Sequence, residues 1–192
     1  CSLPESNTLI RIHSMQVNSD GELSSVRASA RWQIDVSDDV LEHVFAHYAV
    51  RKIELNVMDY DDLLANWLIL MLDFPAIQGE ISGTFDHVLV DEYQDINPLQ
   101  ARILEALTAD HGNLTAVGDP RQAIYGFRGA QIEHIRSFAS RWGARTVRLH
   151  RNYRSSPEVV SVANACDRAM LHGQGHLLTA VRAVSYTHLR AH

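Results

Sequence analysis

Apolar residues recur at helical spacing in the first half of the chain. Ser37 and two aspartates precede a stripe with an apolar residue every three or four positions, which predicts a helix from about residue 38. A second stripe begins after Asp59 and consists of Leu63, Leu64, Trp67, Leu68 and Met71. Both stripes are typical of amphipathic helices that pack against a core, so we interpret them as scaffold. Residues 1–33 are polar, weakly periodic and indicate no chemistry.

Beyond Gly83, short apolar runs alternate with helical stripes. Three strands are predicted, at Phe85–Val90, Asn113–Val117 and Thr146–Leu149. Asn97 before Pro98 and Ser156 before Pro157 are typical helix starts, and a further helix is expected around residues 132–142. Alternating strands and helices indicate an α/β fold, in which a parallel sheet is flanked by helices. Ligands bind such sheets beyond the C-terminal ends of the strands, so the segments that follow each strand are the candidate sites.

The composition is that of an ordinary globular protein, with 46% hydrophobic residues and a net charge of −6 at pH 7. The longest apolar run, around residues 67–72, falls well short of the roughly 20 residues of a membrane helix, so we expect no membrane association and a cytoplasmic location. Cys1 and Cys166 suggest neither a disulfide framework nor a zinc site. Residues 118–156 hold eight arginines and two acidic residues, a local charge that indicates either phosphate binding or a solvated helix face.

Two adjacent carboxylates, Asp91 and Glu92, follow the first predicted strand. In a nucleotide-hydrolysing site one carboxylate holds Mg²⁺, usually through its water, and the next polarises the attacking water. The metal site would comprise Asp91 and Glu92, with Glu92 as the general base. A solvated acidic turn is the alternative for an isolated pair, but the apolar strand and the following Gln94 and Asp95 favour the site.

The loop after the second predicted strand, residues 118–130, combines glycines, a glutamine, two aromatic residues and two arginines. Gln122 can hydrogen-bond a terminal phosphate or the attacking water. Tyr125 and Phe127 can stack on unpaired bases, a contact worth about 1–3 kcal/mol per base. Nucleotide state and base contacts would then share one short segment, which is a physical basis for coupling. The alternative is that the two aromatic residues are core anchors.

A third segment, residues 149–156, joins the last predicted strand to the last predicted helix. Arg154 has the planar fork that suits a phosphate, and across a cleft it can act as an arginine finger. Tyr153 has a flat face that suits an adenine ring. The alternative is an arginine that only satisfies the loop before the helix.

In this order, the three segments resemble motifs II, III and IV of the superfamily 1 DNA helicases of the UvrD, Rep and PcrA family. Residues 91–95 resemble D-E-[FY]-Q-D, residues 118–130 resemble G-D-x-x-Q-x-I-Y-x-[FW]-R-G-A, and residues 149–155 resemble L-x-x-N-Y-R-S. Residues 58–64 are similar to the D-F-D-D-L segment that precedes motif II in that family. The resemblance extends over about residues 50–165.

The resemblance implies an ATPase of two RecA-like P-loop NTPase domains, with ATP in the cleft between them and single-stranded DNA across their top. It also implies 3′ to 5′ translocation at single strands and duplex junctions, in repair or replication restart. Carried over position by position, the roles are Mg²⁺ binding for Asp91, water activation for Glu92, γ-phosphate contacts for Gln122 and Arg154, adenine stacking for Tyr153, base contacts for Tyr125 and Phe127, and coupling for Arg128.

The sequence departs from the family pattern at the phosphate-binding loop. It contains no G-x-x-x-x-G-K-[ST], no motif V and no motif VI, and its one lysine, Lys52, follows no glycine-rich segment. We therefore expect a RecA-like fold truncated at both ends, and a chain that is inactive by itself. Residues 1–50 would belong to an inserted helical subdomain, 51–147 to the first RecA-like domain and 148–183 to the second. Residues 184–192 resemble a non-native tail derived from a sequencing adapter.

Three other functions are open at this stage. The chain could belong to the motor of a RecB-like or AddA-like helicase-nuclease, which a nuclease domain elsewhere in the protein would reveal. It could instead be a non-catalytic module that holds single-stranded DNA through Tyr125, Phe127 and the arginines, although a pure binder has no use for a hydrolytic set. An unrelated P-loop ATPase is disfavoured by the loop that joins glutamine, aromatic residues and arginine.

Overall fold

A computed structural model describes residues 3–19, 21–30, 34–170 and 177–181, and the chain divides into two compact units, residues 1–143 and 144–192. The described elements of the first unit are α1 (Ser6–Ser19), α2 (Leu23–Ala30), α3 (Asp38–Leu55), α4 (Tyr60–Asp73), α5 (Pro75–Ser82), β1 (Val88–Val90), α6 (Pro98–Leu107), β2 (Leu114–Ala116) and α7 (Ile132–Trp142). Those of the second unit are β3 (Arg151–Asn152), α8 (Pro157–Ala169) and β4 (Thr179–Ala180). The proposed adapter tail, residues 184–192, lies outside the described residues.

Two helix starts are fixed by reciprocal hydrogen bonds between residues three positions apart. At the start of α4, the backbone N–H of Asp62 donates to Asp59 Oδ1 over 2.9 Å, and the N–H of Asp59 donates back to Asp62 Oδ2 over 3.0 Å. Asn97 and Gln100 make the same box at the start of α6, over 2.8 and 3.1 Å. Each box satisfies two N–H groups that the helix leaves unpaired. The predicted helix starts at Asp59 and Asn97 are thus confirmed.

Lys52 ties the end of α3 to the start of α4. Its Nζ lies 2.7 Å from carboxylate oxygens of both Asp59 and Asp62, and 4.4 Å from the centre of the Tyr48 ring. Burial by itself lowers the pKa of Lys52, but the hydrogen bonds and negative charges of the two aspartates outweigh burial, so its pKa lies above the usual value. The one lysine of the chain therefore holds two helices together.

Three apolar clusters form the core of the first unit. The first joins α1, α2 and α3 through Ile12, Leu23, Val36, Leu41 and Phe45. The second lies between α4 and α6 and consists of Leu68, Met71, Leu99, Ile103 and Ala106. The third lies next to the ends of the strands and consists of Tyr93, Ile96 and Ala101, with Val90, Ala116, Ile135 and Phe138 packed against it. Residues 1–33, which indicated no chemistry, thus supply α1 and α2 to the core.

The strands β1 and β2 pair in parallel, with Val88 opposite Leu114 and Val90 opposite Ala116. Hydrogen bonding continues past both strands, because the N–H of Val117 donates to Val90 O over 2.8 Å and the N–H of Tyr93 donates to Val117 O over 2.9 Å. The segments after the two strands therefore leave the sheet side by side. Parallel pairing was predicted, but the described sheet of this unit has two strands and is not a complete RecA-like sheet.

The predicted strand Thr146–Leu149 is wrong. The described residues 144–150 contain no strand, and the pairing of β3 with β4 begins at Arg151. The apolar positions of the predicted strand have no covering surface in this unit, because Val147 is 66% and Leu149 80% exposed. Pro75 is the first residue of α5, a position where its missing N–H is tolerated. No described helix is long and apolar enough to cross a bilayer.

Candidate functional site

The acidic turn after β1 holds Glu92 in an unusual backbone conformation. Glu92 has φ 52° and ψ 42°, the left-handed region in which residues other than glycine are uncommon. Its N–H donates to Oδ1 of Asp91 over 2.9 Å, and both carboxylates are exposed. Such a conformation costs about 1–3 kcal/mol and persists where the surrounding structure enforces it. A solvated acidic turn would have no reason to retain that cost, so the strain favours a functional role for this pair.

The side chain of Gln94 connects the acidic turn to the loop after β2. Gln94 is 1% exposed, and its Nε2 donates to Oε2 of Glu92 over 2.8 Å. The same nitrogen lies 3.5 Å from Oδ2 of Asp95. On the other side, Oε1 of Gln94 accepts a hydrogen bond from the backbone N–H of Asp119 over 3.0 Å. One buried amide therefore bridges two segments that are 25 residues apart in the sequence.

Gly118 makes this bridge possible. A Cβ atom at this position would lie 2.5 Å from Oε1 of Gln94, 2.7 Å from Cδ1 of Ile135 and 3.1 Å from the backbone nitrogen of Tyr93. Gln94 is held by hydrogen bonds and the nitrogen of Tyr93 belongs to the backbone, so neither can move aside easily. Glycine is required here because of close approach, since any side chain would push the loop away from Gln94.

Asp119 links Gln94 to Gln122 through a further hydrogen bond, made by its carboxylate. Its Oδ1 accepts from the N–H of Arg121 over 2.9 Å, and its Oδ2 accepts from Nε2 of Gln122 over 3.1 Å. The carboxylate thereby caps the short 3₁₀ helix Pro120–Gln122. The predicted general base and the predicted γ-phosphate contact are thus joined by side-chain and backbone hydrogen bonds through Gln94 and Asp119.

The predicted base platform lies in the same loop. The rings of Tyr125 and Phe127 have centroids 5.9 Å apart and planes tilted by 50°, and Phe127 is 60% exposed. Gly129, with φ 84°, closes the 3₁₀ turn that contains Phe127, a conformation that glycine adopts without strain. The side chain of Arg128 lies outside the part of the chain that the structure describes, so its coupling role stays a prediction.

Tyr93, the aromatic residue of the acidic motif, has a different role from these two. It is 2% exposed, and its ring meets that of Phe138 edge-on at 4.9 Å between centroids. Burial raises the pKa of its hydroxyl, which therefore stays protonated over the usual pH range. Tyr93 packs the acidic turn against α7, and its buried ring is not positioned to stack on a DNA base.

In the second unit, Asn152 shapes the turn before α8. Its Oδ1 accepts hydrogen bonds from the N–H groups of Arg154 and Ser155, over 2.9 and 2.8 Å. The turn leaves Tyr153 61% exposed, and Arg154 is exposed as well. The structure describes each unit by itself, so the approach of Tyr153 and Arg154 to a nucleotide stays a prediction.

Asp91 and Glu92 fit a magnesium ion by their chemistry. Mg²⁺ takes oxygen ligands and is held by one or two carboxylates, with phosphate oxygens and water in the remaining positions. Both side chains are exposed at the end of a strand, and the N–H of Glu92 donates to Oδ1 of Asp91. Within the described residues there is no cluster of three or more His, Cys, Asp or Glu that would form an all-protein metal cage.

Comparison with known proteins establishes the family. Residues 5–142 match the UvrD/REP helicase N-terminal domain, which covers most of the chain. The chain therefore belongs to the UvrD/REP helicase family, and the resemblance based on the three motifs is confirmed. The match ends before the segment that contains Tyr153 and Arg154.

The curated relatives are bacterial helicases. The chain is 38% identical over 141 residues to the ATP-dependent DNA helicase UvrD2 of Mycobacterium tuberculosis. This alignment covers 71% of this chain and 20% of that protein. It is 38% identical over 125 residues to DNA helicase II of Escherichia coli, covering 65% of this chain and 17% of the relative. The putative ATP-dependent DNA helicase YjcD of Bacillus subtilis is 37% identical over 122 residues, which is 63% of this chain and 16% of YjcD. The chain spans about a fifth of the length of these relatives.

Proposed function

We propose that this chain is part of an ATP-dependent DNA helicase that couples ATP hydrolysis to 3′ to 5′ movement along single-stranded DNA. The names of its relatives describe ATP-dependent DNA helicases. The observation that carries the proposal is the hydrogen-bonded path from Glu92 through Gln94 and Asp119 to Gln122. This path ends in the loop that presents Phe127 to solvent, so hydrogen bonds link the groups assigned to hydrolysis to the loop assigned to base contacts.

The acidic pair would divide the work of hydrolysis. Asp91 would hold Mg²⁺, which supplies charge neutralisation for the phosphates when it is bound. Glu92 would accept the proton of the attacking water, since its carboxylate is exposed and is oriented by Gln94. Gln122 would hydrogen-bond the γ-phosphate or that water, and its position is set by Asp119.

Two further residues, outside the acidic turn and the loop after β2, would complete the nucleotide-binding site. Tyr153 would stack on the adenine ring and Arg154 would contact the γ-phosphate from a second RecA-like domain that begins near residue 148. Both side chains are exposed on a turn that Asn152 holds in shape, which suits groups that meet a ligand.

Single-stranded DNA would be held by stacking and by charge. Tyr125 and Phe127 would contact bases without regard to sequence, because every base has a flat face. Arg128 would link these contacts to the acidic pair. The eight arginines within residues 118–156 give this part of the sequence a positive charge in a chain of net charge −6, and we propose that they attract the phosphates of the DNA. The proposed substrates are single strands and duplex junctions, and the proposed processes are repair and replication restart, as the resemblance to the family implies.

Hydrolysis by the full-length protein tests this proposal. The gene is sequenced in both directions from this segment, and the full-length protein is expressed. Its ATPase rate is then measured with and without a single-stranded oligonucleotide. Stimulation by the oligonucleotide, together with no turnover by the 192-residue chain, is the expected result. Tight oligonucleotide binding by a full-length protein that hydrolyses no ATP would refute the proposal and support a non-catalytic DNA-binding module.

A further inference from the structure

We propose that Gln94 is a positioning residue that orients the Glu92 carboxylate and makes its orientation depend on the loop of Asp119 and Gln122. This inference rests on the proposed function, because it assigns Gln94 a role in the same hydrolytic site. It adds a residue to that site, and it predicts which kinetic quantity this residue controls: the stimulation of hydrolysis by DNA.

The hydrogen bonds of Gln94 fix its amide in one orientation. Nε2 faces the carboxylates of Glu92 and Asp95, at 2.8 and 3.5 Å, and Oε1 faces the N–H of Asp119 at 3.0 Å. The flipped amide would place oxygen against two carboxylates and nitrogen against an N–H group, which replaces attraction with repulsion at both ends. At 1% exposure, water cannot take over either end. The amide is therefore a rigid spacer between Glu92 and Asp119.

One end of this spacer is fixed to the core. The backbone N–H of Tyr93 is bonded to Val117 O, and the Tyr93 ring packs on Phe138. The acidic turn therefore has little freedom to follow a movement of its neighbour as a whole. The side chain of Glu92, which is exposed and hydrogen-bonded to Gln94, can change its orientation when Gln94 moves.

The other end of the spacer belongs to the loop that would sense ligands. Asp119 presents its N–H to Gln94 and its Oδ2 to Gln122, so a shift of Gln122 toward a phosphate acts on Asp119 directly. The contacts that a Cβ at Gly118 would make, as short as 2.5 Å, show that no slack separates this loop from Gln94. A movement of the loop must therefore be transmitted to the amide, and through it to the Glu92 carboxylate.

Two substitutions in the full-length protein separate this role from a purely structural one. Gln94→Met keeps the volume but has no amide, so it leaves Glu92 without its donor. We expect the DNA-stimulated kcat to fall about tenfold to hundredfold, since misplacing a catalytic group has effects of that size, and the basal kcat to fall less, so that the ratio of DNA-stimulated to basal hydrolysis drops. KM for ATP and Kd for a single-stranded oligonucleotide should change by less than about threefold, because Gln94 is buried and offers almost no surface to either ligand.

Gln94→Glu reverses the polarity of the donor and keeps the shape. A carboxylate at this position would present oxygen to Glu92 and Asp95 and could not donate a hydrogen bond to either. The ratio of DNA-stimulated to basal hydrolysis should therefore fall in Gln94→Glu as it does in Gln94→Met. A role in packing alone would reduce the amount of folded protein and leave this ratio unchanged.

Gln78→Met is the matched control. Gln78 is a half-buried glutamine on α5 whose Nε2 donates to Ala106 O over 2.9 Å, and it takes no part in the bridge. It should retain the wild-type ratio of DNA-stimulated to basal hydrolysis.

The outcomes distinguish the two proposals. If the wild-type protein shows no DNA-stimulated hydrolysis, the proposed function fails. If the wild type is stimulated and Gln94→Met is stimulated equally, the inference about Gln94 is overturned and the function stands. If Gln94→Met does not fold, Gln94→Glu decides, and a wild-type ratio of DNA-stimulated to basal hydrolysis in that variant overturns the inference.

Discussion

Replacing Gly118 with alanine should disrupt the junction between the acidic turn and the loop after β2. The added Cβ would meet Oε1 of Gln94 at 2.5 Å and Cδ1 of Ile135 at 2.7 Å, distances that real Cβ contacts do not show. The Ile135 side chain can rotate away, but Gln94 is held by hydrogen bonds at both of its ends. The loop or the amide must therefore move.

The size of the effect follows from two costs and one gain. Overpacking a well-filled site costs about 1–3 kcal/mol. If Gln94 separates from the N–H of Asp119, buried polar groups lose their partner, which costs about another 1–3 kcal/mol. Alanine also reduces the entropy of the unfolded chain, which offsets up to about 1 kcal/mol. We expect Gly118→Ala to lower the free energy of unfolding by about 2–4 kcal/mol.

Urea unfolding followed by far-UV circular dichroism measures this change. Gly126→Ala is the matched control, because no described atom lies within 4 Å of a Cβ at that position. The control should differ from the wild type by less than about 0.5 kcal/mol. A Gly118→Ala variant as stable as Gly126→Ala would refute the close approach between this glycine and Gln94.

Three further changes test other parts of the structure. Asn97→Ala removes the box with Gln100 at the start of α6 and the buried hydrogen bond to Asn18, and it should lower the unfolding free energy by about 2–4 kcal/mol in the same urea assay. Burial and, after it, the charge of Lys52 lower the pKa of His13, so the free energy of unfolding should fall as the pH drops below about 6.5 toward that lowered pKa. His13→Phe should weaken this pH dependence. Equal pH dependence of the unfolding free energy in the variant and the wild type would contradict the prediction. Phe127→Ala should weaken oligonucleotide binding by about 1–3 kcal/mol in fluorescence anisotropy, whereas Phe74→Ala, which changes an equally exposed ring, should not.

The parts of the fold that depend on near neighbours could be predicted from the sequence. The helix starts at Asp59 and Asn97 are boxes between residues three positions apart, so their signal is contained in a few letters. The strands β1 and β2 were found because each is a short apolar run followed by polar residues. Three of their four ends were placed one to three residues too far out, since pairing and not apolar character decides where a strand ends.

Long-range pairing could not be predicted in this way. The strand that begins at Arg151 exists because it pairs with Thr179, and the more apolar residues just before it have no such partner. Asn18, in the weakly periodic first segment, accepts a hydrogen bond from Asn97, 79 residues away. No local pattern marks either contact.

The candidate site shows the same division. Its reactive side chains, Glu92 and Gln122 among them, were predicted by residue type and by position after a strand. The connecting residues Gln94 and Asp119 were quoted within motifs but were given no role, because their contact depends on the register of β1 against β2. Gly118 offered a signal, since a glycine that directly follows a strand often permits close approach of another segment.

Replacing Glu92 with glutamine tests the proposed function most directly. Glutamine keeps the shape of the side chain and an oxygen that can accept the hydrogen bond from Gln94, while the basicity and the negative charge are lost. In the full-length protein, kcat for DNA-stimulated ATP hydrolysis should fall by about a hundredfold or more, while Glu80→Gln, a change at an exposed glutamate of α5, should hydrolyse ATP like the wild type. Hydrolysis by Glu92→Gln at the wild-type rate would contradict the assignment of this acidic turn as the hydrolytic site.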